Sequence, residues 1–135
     1  MIKYIILAPN TDVLVYSLLE YEKYFTRNKK IKHIKIEKGL SNKRFFNTIL
    51  NDLAIRGINN LLIESGSKIN TILLSLGFVD ELIIFRSGKI IGNDGLSMIG
   101  NLNIHNMNNV ENYKLSYLRT FDDDMLEIRK LKKQG

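Results

Sequence analysis

The sequence contains no cysteine. Disulfides, thiol nucleophiles and thiolate metal sites are therefore excluded together. A reducing compartment such as the cytoplasm fits that usage. Tryptophan is also missing, and proline occurs once, at Pro9. The only histidines, His33 and His105, are far apart and sit in no HExxH pattern. Metal catalysis thus lacks its usual ligand spacing, and no metal site is expected. No apolar run approaches the roughly 18 residues that span a bilayer, so no membrane partner is expected. The apolar stretch at the start is too short for a convincing signal peptide and reads better as a strand.

Charge of one sign is scarce only in part of the chain. The formal net charge is +6. Residues 1–44 carry ten Lys/Arg against four Asp/Glu, whereas residues 45–135 carry ten of each, so the excess lies in the first third. The run Arg27-Asn28-Lys29-Lys30-Ile31-Lys32-His33-Ile34-Lys35 either steers an anionic ligand or forms a solvated strand edge whose lysines discourage pairing. No aromatic residues interleave these lysines and no zinc-finger spacing exists, so nucleic acid is not an expected partner.

What is present suffices for one domain. The chain has 135 residues, 44% of them hydrophobic, with Ile and Leu dominant. Residues 2–8 are nearly continuously apolar and end at Pro9-Asn10, which predicts a buried strand. Leu14, Leu18, Leu19, Tyr21 and Phe25 recur at roughly helical spacing, which predicts a helix over 12–25 capped by Thr11. Residues 31–36 alternate apolar and polar and predict a half-exposed strand. Ser41 stands at a cap position. Phe45, Phe46, Ile49, Leu50 and Leu53 then give one apolar helical face, ended at Gly57. Residues 60–64 predict a buried strand; after the tight connection Ser65-Gly66-Ser67, Ile69, Ile72, Leu73 and Leu76 predict a helix ended by Gly77, and residues 80–85 predict another strand. This alternation argues for a parallel sheet flanked by helices. Past Phe85, four glycines punctuate an irregular stretch. Residues 113–120 and 124–131 then predict an antiparallel hairpin around Phe121-Asp122-Asp123-Asp124.

The sharpest local feature is Leu61-Leu62-Ile63-Glu64-Ser65-Gly66-Ser67-Lys68. An apolar strand ends in a carboxylate, a small-residue turn follows, and a helix begins. Free amides in a helix's first turn hold phosphate well, and Gly66 lets a ligand approach the backbone. An ordinary strand-to-helix turn has the same composition, with Ser67 as a simple cap. Glu64 is costly if buried alone, so it should accept backbone bonds, meet a cation, face a ligand or orient its own loop. Lys68 reads as a phosphate contact or as plain surface. Asp80-Glu81 shows no acid/base geometry. Asp122-Asp123-Asp124 lacks calcium-loop spacing and reads as a solvated turn. No serine sits in a nucleophile elbow.

Residues 57–92 carry a resemblance. Gly57, the strand ending Glu64-Ser65-Gly66, a helix, Val79-Asp80-Glu81, a strand through Phe85 and Lys89-Ile90-Ile91-Gly92 follow one another. This order is similar to the core of the bacterial riboflavin-biosynthesis reductase family. There a strand ends in Glu-Gly-Gly, and a helix, Val-Asp-Glu, another strand and Pro-Lys-Leu-Leu-Gly follow. More weakly, residues 3–9 resemble the family's strand before its cofactor loop. Residues 114–130 resemble its closing strands, with Asp124 at a late acidic position.

The resemblance implies a dihydrofolate-reductase-like α/β fold, a mainly parallel sheet flanked by helices with an antiparallel carboxy-terminal hairpin. It implies reduction of a phosphorylated ribosylamino pyrimidine, 5-amino-6-(5-phosphoribosylamino)uracil, to its ribitylamino form, with NADPH giving hydride to the sugar C1′. Glu64, Ser65, Gly66 and Ser67 would line the cofactor cleft, with Gly92 near it; no catalytic residue is assigned. Three departures stand out. Ser65 replaces the first Gly of Glu-Gly-Gly, Arg86-Ser87-Gly88-Lys89 replaces a small-residue-Pro-Lys run, and Ala8-Pro9-Asn10 replaces a strand end that bears on NADPH against NADH. No His/Cys zinc motif exists, so deamination is excluded. The family's first strands have no counterpart before residue 2, so the expectation is one incomplete reductase-like domain spanning 1–135. Such a chain would self-associate or take a complementary polypeptide. The alternative is a catalytically inactive remnant or interaction module on the same fold.

Overall fold

The computed structural model describes residues 4–5, 13–18 and 31–132. The chain divides into two compact units, Met1–Leu62 and Ile63–Gly135.

The first unit holds a three-stranded sheet in the order β1 (Tyr4–Ile5), β2 (Val13–Ser17), β3 (Ile31–Lys35). β1 runs antiparallel to β2, with Tyr4 opposite Tyr16. β2 runs parallel to β3, from Val13 opposite Ile31 to Ser17 opposite Lys35. The helix expected over 12–25 is corrected here, because residues 13–17 are strand. Val13, Val15 and Tyr16 suit a pleated surface, and β2 is paired along both edges. Leu14, Val15, Tyr16 and Ser17 are all buried, so both of its faces are covered. The leucine spacing that suggested a helix was a buried run read with the wrong period. The rest of that expectation, at residues 19–25, lies outside the described residues. So do most of the first predicted strand and the lysines at 29 and 30.

Helix α1 (Asn42–Ile55) starts where Ser41 accepts a hydrogen bond from the Arg44 amide at 3.4 Å. Phe45, Phe46, Ile49 and Leu53 bury its apolar face, and the two rings meet edge to face with centroids 5.4 Å apart. The helix closes with Gly57 at φ +82°, the Gly57 amide donating to Ala54 O and Ile58 to Leu53 O. That double bond pattern needs a left-handed residue, which glycine supplies without a Cβ clash. Tyr16 ties β2 to α1, its hydroxyl donating to Asp52 Oδ2 at 2.5 Å.

The second unit begins with helix α2 (Ser67–Ser75), which ends at Gly77 by the same device. β4 (Glu81–Arg86), β5 (Tyr113–Phe121) and β6 (Asp124–Leu131) form a sheet in the order β4-β6-β5, antiparallel throughout. The expected hairpin is present, turning through Asp122 at φ +49°. A bulge between Leu115 and Tyr117 interrupts its ladder, and Ser116 Oγ donates to Ile128 O at 3.0 Å.

The strand expected at 60–64 does not form, and that expectation is corrected. Residues 58–66 pair with no strand among the described residues, and Leu62 is 70% exposed. An apolar run becomes a strand only when a neighbour takes its amides and carbonyls. The described strands give a mixed sheet arrangement with flanking helices, consistent with dihydrofolate-reductase-like architecture. Parallel pairing is confined to β2–β3 among them, so the parallel part is narrower than the alternation implied. No helix of the described residues is long and apolar enough to cross a membrane.

Candidate cofactor-binding site

The four candidate residues precede and open α2. Gly66 is its N-cap, in an extended conformation, with no side-chain cap. The Ile69 and Asn70 amides both donate to Gly66 O, at 3.1 and 3.2 Å. The Ser67 and Lys68 amides have no acceptor among the described residues. They are the free donors at the positive end of the helix dipole. A Cβ added at Gly66 would meet nothing within 4 Å, so the space beside Gly66 is open. Ser67 and Ser65 are half-buried, while Gly66 and Lys68 are exposed.

Glu64 departs from its expected setting. It is exposed and makes no hydrogen bond or ion pair among the described residues. The argument from a costly buried carboxylate therefore lapses, because the strand that would have buried it is not formed. The structure brings Glu64, Ser65, Gly66 and Ser67 together by chain continuity alone. Among the described residues, Glu64 takes no part in orienting the loop.

Two residues that sequence reasoning missed hold this turn. Asn70 faces back along α2. Its Oδ1 accepts from Ser65 Oγ at 2.5 Å, and its Nδ2 donates to Ser65 O at 3.2 Å and Met98 O at 3.0 Å. Thr71 follows: its hydroxyl donates to Ser67 O at 2.6 Å and accepts from the Gly100 amide at 2.7 Å. Residues 98–100 are thereby strapped across the start of α2. Gly100 permits that approach, since a Cβ there would lie 3.1 Å from Thr71 Oγ1 and 3.4 Å from Ser67 Oγ. No local signal marks this contact, because the partners are 28 and 29 residues apart.

Elsewhere the strongest electrostatics are in ion pairs. Asp52 receives Arg56 through two bonds, at 2.7 and 3.1 Å, besides the Tyr16 hydroxyl. The Arg56 guanidinium, then Tyr16, holds the Asp52 carboxyl below its usual range. Burial first, and the Asp52 carboxylate second, push the Tyr16 hydroxyl up to about 12. Ser17 Oγ lies 2.7 Å from His33 Nε2 across the parallel strands. In the second unit Glu127 is bound by Arg129 and Arg86, which hold its carboxyl below the usual range. No group of three or more metal-ligating side chains occurs among the described residues. Asp122, Asp123 and Asp124 are exposed at the hairpin turn.

Comparison with known proteins gives these features a setting. The family profile described as the RibD C-terminal domain matches residues 11–126. The riboflavin biosynthesis protein RibD of Buchnera aphidicola subsp. Baizongia pistaciae (strain Bp) is 33% identical over 73 residues, 54% of this chain and 20% of that protein. Among solved structures, Acinetobacter baumannii RibD superposes with a TM-score of 0.62 at 19% identity, over 76% of this chain and 27% of that one. A pyrimidine reductase-like protein from Corynebacterium diphtheriae gives 0.66 at 18% identity, over 90% of this chain and 50% of that one. At these identities the structures speak to the fold. The matches span from a fifth to half of these relatives' lengths. The profile covers most of the sequence, and the chain belongs to the family of RibD C-terminal, reductase-like domains.

Proposed function

We propose that the chain binds NADPH at the start of α2 and serves, as a component or fragment of a reductase, in reducing 5-amino-6-(5-phosphoribosylamino)uracil to its ribitylamino form. The observation that carries this is the pair of unpartnered amides at Ser67 and Lys68 beside the open Gly66. Two N–H donors and a helix dipole suit a pyrophosphate. Ser67 Oγ supports the same role, standing beside the strapped Gly100. Family membership supports the choice of cofactor and substrate class. The residues present fit the cofactor's phosphates: small side chains, open backbone, and Lys68 one residue into the helix.

A bound NADPH would supply the hydride for reduction at the sugar C1′. The chain's own part is to bind and orient. The α2 amides would fix the pyrophosphate, Asn70 and Thr71 would hold the 65–67 turn against 98–100, and Gly66 would keep the backbone accessible.

Titration with NADPH and NADH tests the proposal. NADPH should bind saturably, and Gly66→Val should abolish binding by filling the open space with a branched side chain. Saturable binding unaffected by Gly66→Val would contradict it. A second reading, an inactive interaction module, rests on the exposed apolar side chains at Phe85, Ile90, Leu96 and Met107. Exposed large apolar side chains suit a partner polypeptide or self-association. No binding of either cofactor, with concentration-dependent association in light scattering, would favour it.

A further inference from the structure

Glu127 is buried on β6, its side chain only 8% exposed. Its Oε1 accepts from Arg86 Nε at 2.5 Å and its Oε2 from Arg129 Nε at 2.7 Å. Strand register explains the cluster. Glu127 lies opposite Ile84 and Arg86 opposite Met125, so the period of two puts Arg86, Glu127 and Arg129 on one face. Leu82, Ile84 and Leu118 occupy neighbouring positions of that face by the same register. They contribute no competing carboxylate.

The balance of charge is uneven. One carboxylate meets two guanidinium groups, each by its Nε alone. Neither arginine pairs with another acid among the described residues. Arg129 Nη1 leans toward Tyr113 O at 3.5 Å, while Arg86 has no further partner there. One arginine would suffice to neutralise the glutamate. The second leaves a positive charge whose outer edges reach solvent, Arg86 being 58% and Arg129 36% exposed. Their inner edges are meanwhile fixed on a buried anchor. Planar donors held in advance on a fixed anchor are what phosphate recognition uses.

We propose that Arg86 and Arg129 form an oxyanion site for a phosphate-bearing ligand, with Glu127 as the positioning residue that aims both guanidinium groups. The site stands on the sheet's own geometry and does not depend on cofactor binding at α2. Departure from the family pattern around Arg86-Ser87-Gly88-Lys89 has here a chemical consequence, a cation anchored at the end of β4.

Inorganic phosphate, titrated into the full chain at constant ionic strength, tests this by NMR of the arginine Nε–Hε groups. Saturable shifts are expected at Arg86 and Arg129 and none at Arg119, and chloride should not reproduce them. Arg86→Leu leaves a balanced Arg129–Glu127 pair, so the sheet should persist while phosphate binding weakens roughly tenfold or more. Arg86→Lys keeps the charge but loses the planar fork, and should weaken binding by less. Shifts that chloride reproduces, binding unchanged by Arg86→Leu, or phosphate shifts confined to the α2 amides would each overturn the proposal. The last outcome would leave the reading of α2 standing.

Discussion

Replacing Asn70 by alanine separates a designed strap from an incidental polar contact. The substitution deletes three hydrogen bonds: one accepted from Ser65 Oγ, one donated to Ser65 O and one donated to Met98 O. Each has a net worth of about 0.5–1.5 kcal/mol. The Met98 bond is exposed, so water replaces much of it, whereas the two Ser65 bonds are part-buried. Alanine also returns a few tenths of a kcal/mol, up to about 0.7, in helix propensity. The balance is a loss of about 1–3 kcal/mol. With a urea slope of about 1–1.5 kcal/mol/M for a chain this small, the midpoint should fall by about 0.7–3 M. Hydrogen exchange should quicken at residues 98–100 before it does in β4–β6. Asn70→Asp keeps the acceptor but loses both donors and faces two carbonyls with a charge, so it should cost at least as much. A loss under about 0.5 kcal/mol, with exchange at 98–100 unchanged, would refute the reasoning.

Two other perturbations follow from the same coordinates. Gly100→Ala puts a Cβ 3.1 Å from a Thr71 hydroxyl already bonded on both sides, and should cost about 1–3 kcal/mol by thermal or urea unfolding. The Glu127 carboxyl is depressed in the folded chain by Arg129 and then Arg86. Its contribution is therefore complete above the unfolded carboxyl value of about 4.3 and is lost as pH falls through the lower folded value. Unfolding midpoints measured from pH 7 to 2 should show a shallower acid decline in Glu127→Gln. Some decline should remain, since Asp52 is shifted in the same direction.

Local chemistry was readable where it is local. Ser41 as a cap, the apolar face through Phe45 and Leu53, and the glycines that end both helices all act within a few residues, and all are in place. The hairpin was legible because its two alternating runs are separated by a turn too short for a crossover. Misreadings arose where a partner decides. Val13–Ser17 is strand because β1 and β3 lie on either side, which leucine spacing cannot show. Residues 60–64 pair with no strand among the described residues although their composition is that of a strand. The candidate turn itself was visible in Ser65-Gly66-Ser67. Its strap was not, because Asn70 and Thr71 reach 28 and 29 residues along the chain. Arg86 and Glu127 are 41 residues apart and meet only through the β4–β6 register.

Backbone amide shifts followed during an NADPH titration bear most directly on the cofactor reading. Gly66, Ser67 and Lys68 should move together, saturate with one dissociation constant, and stop responding in Gly66→Val. If NADPH saturates the chain while these three amides stay still, the phosphates are held elsewhere and the account of α2 is wrong.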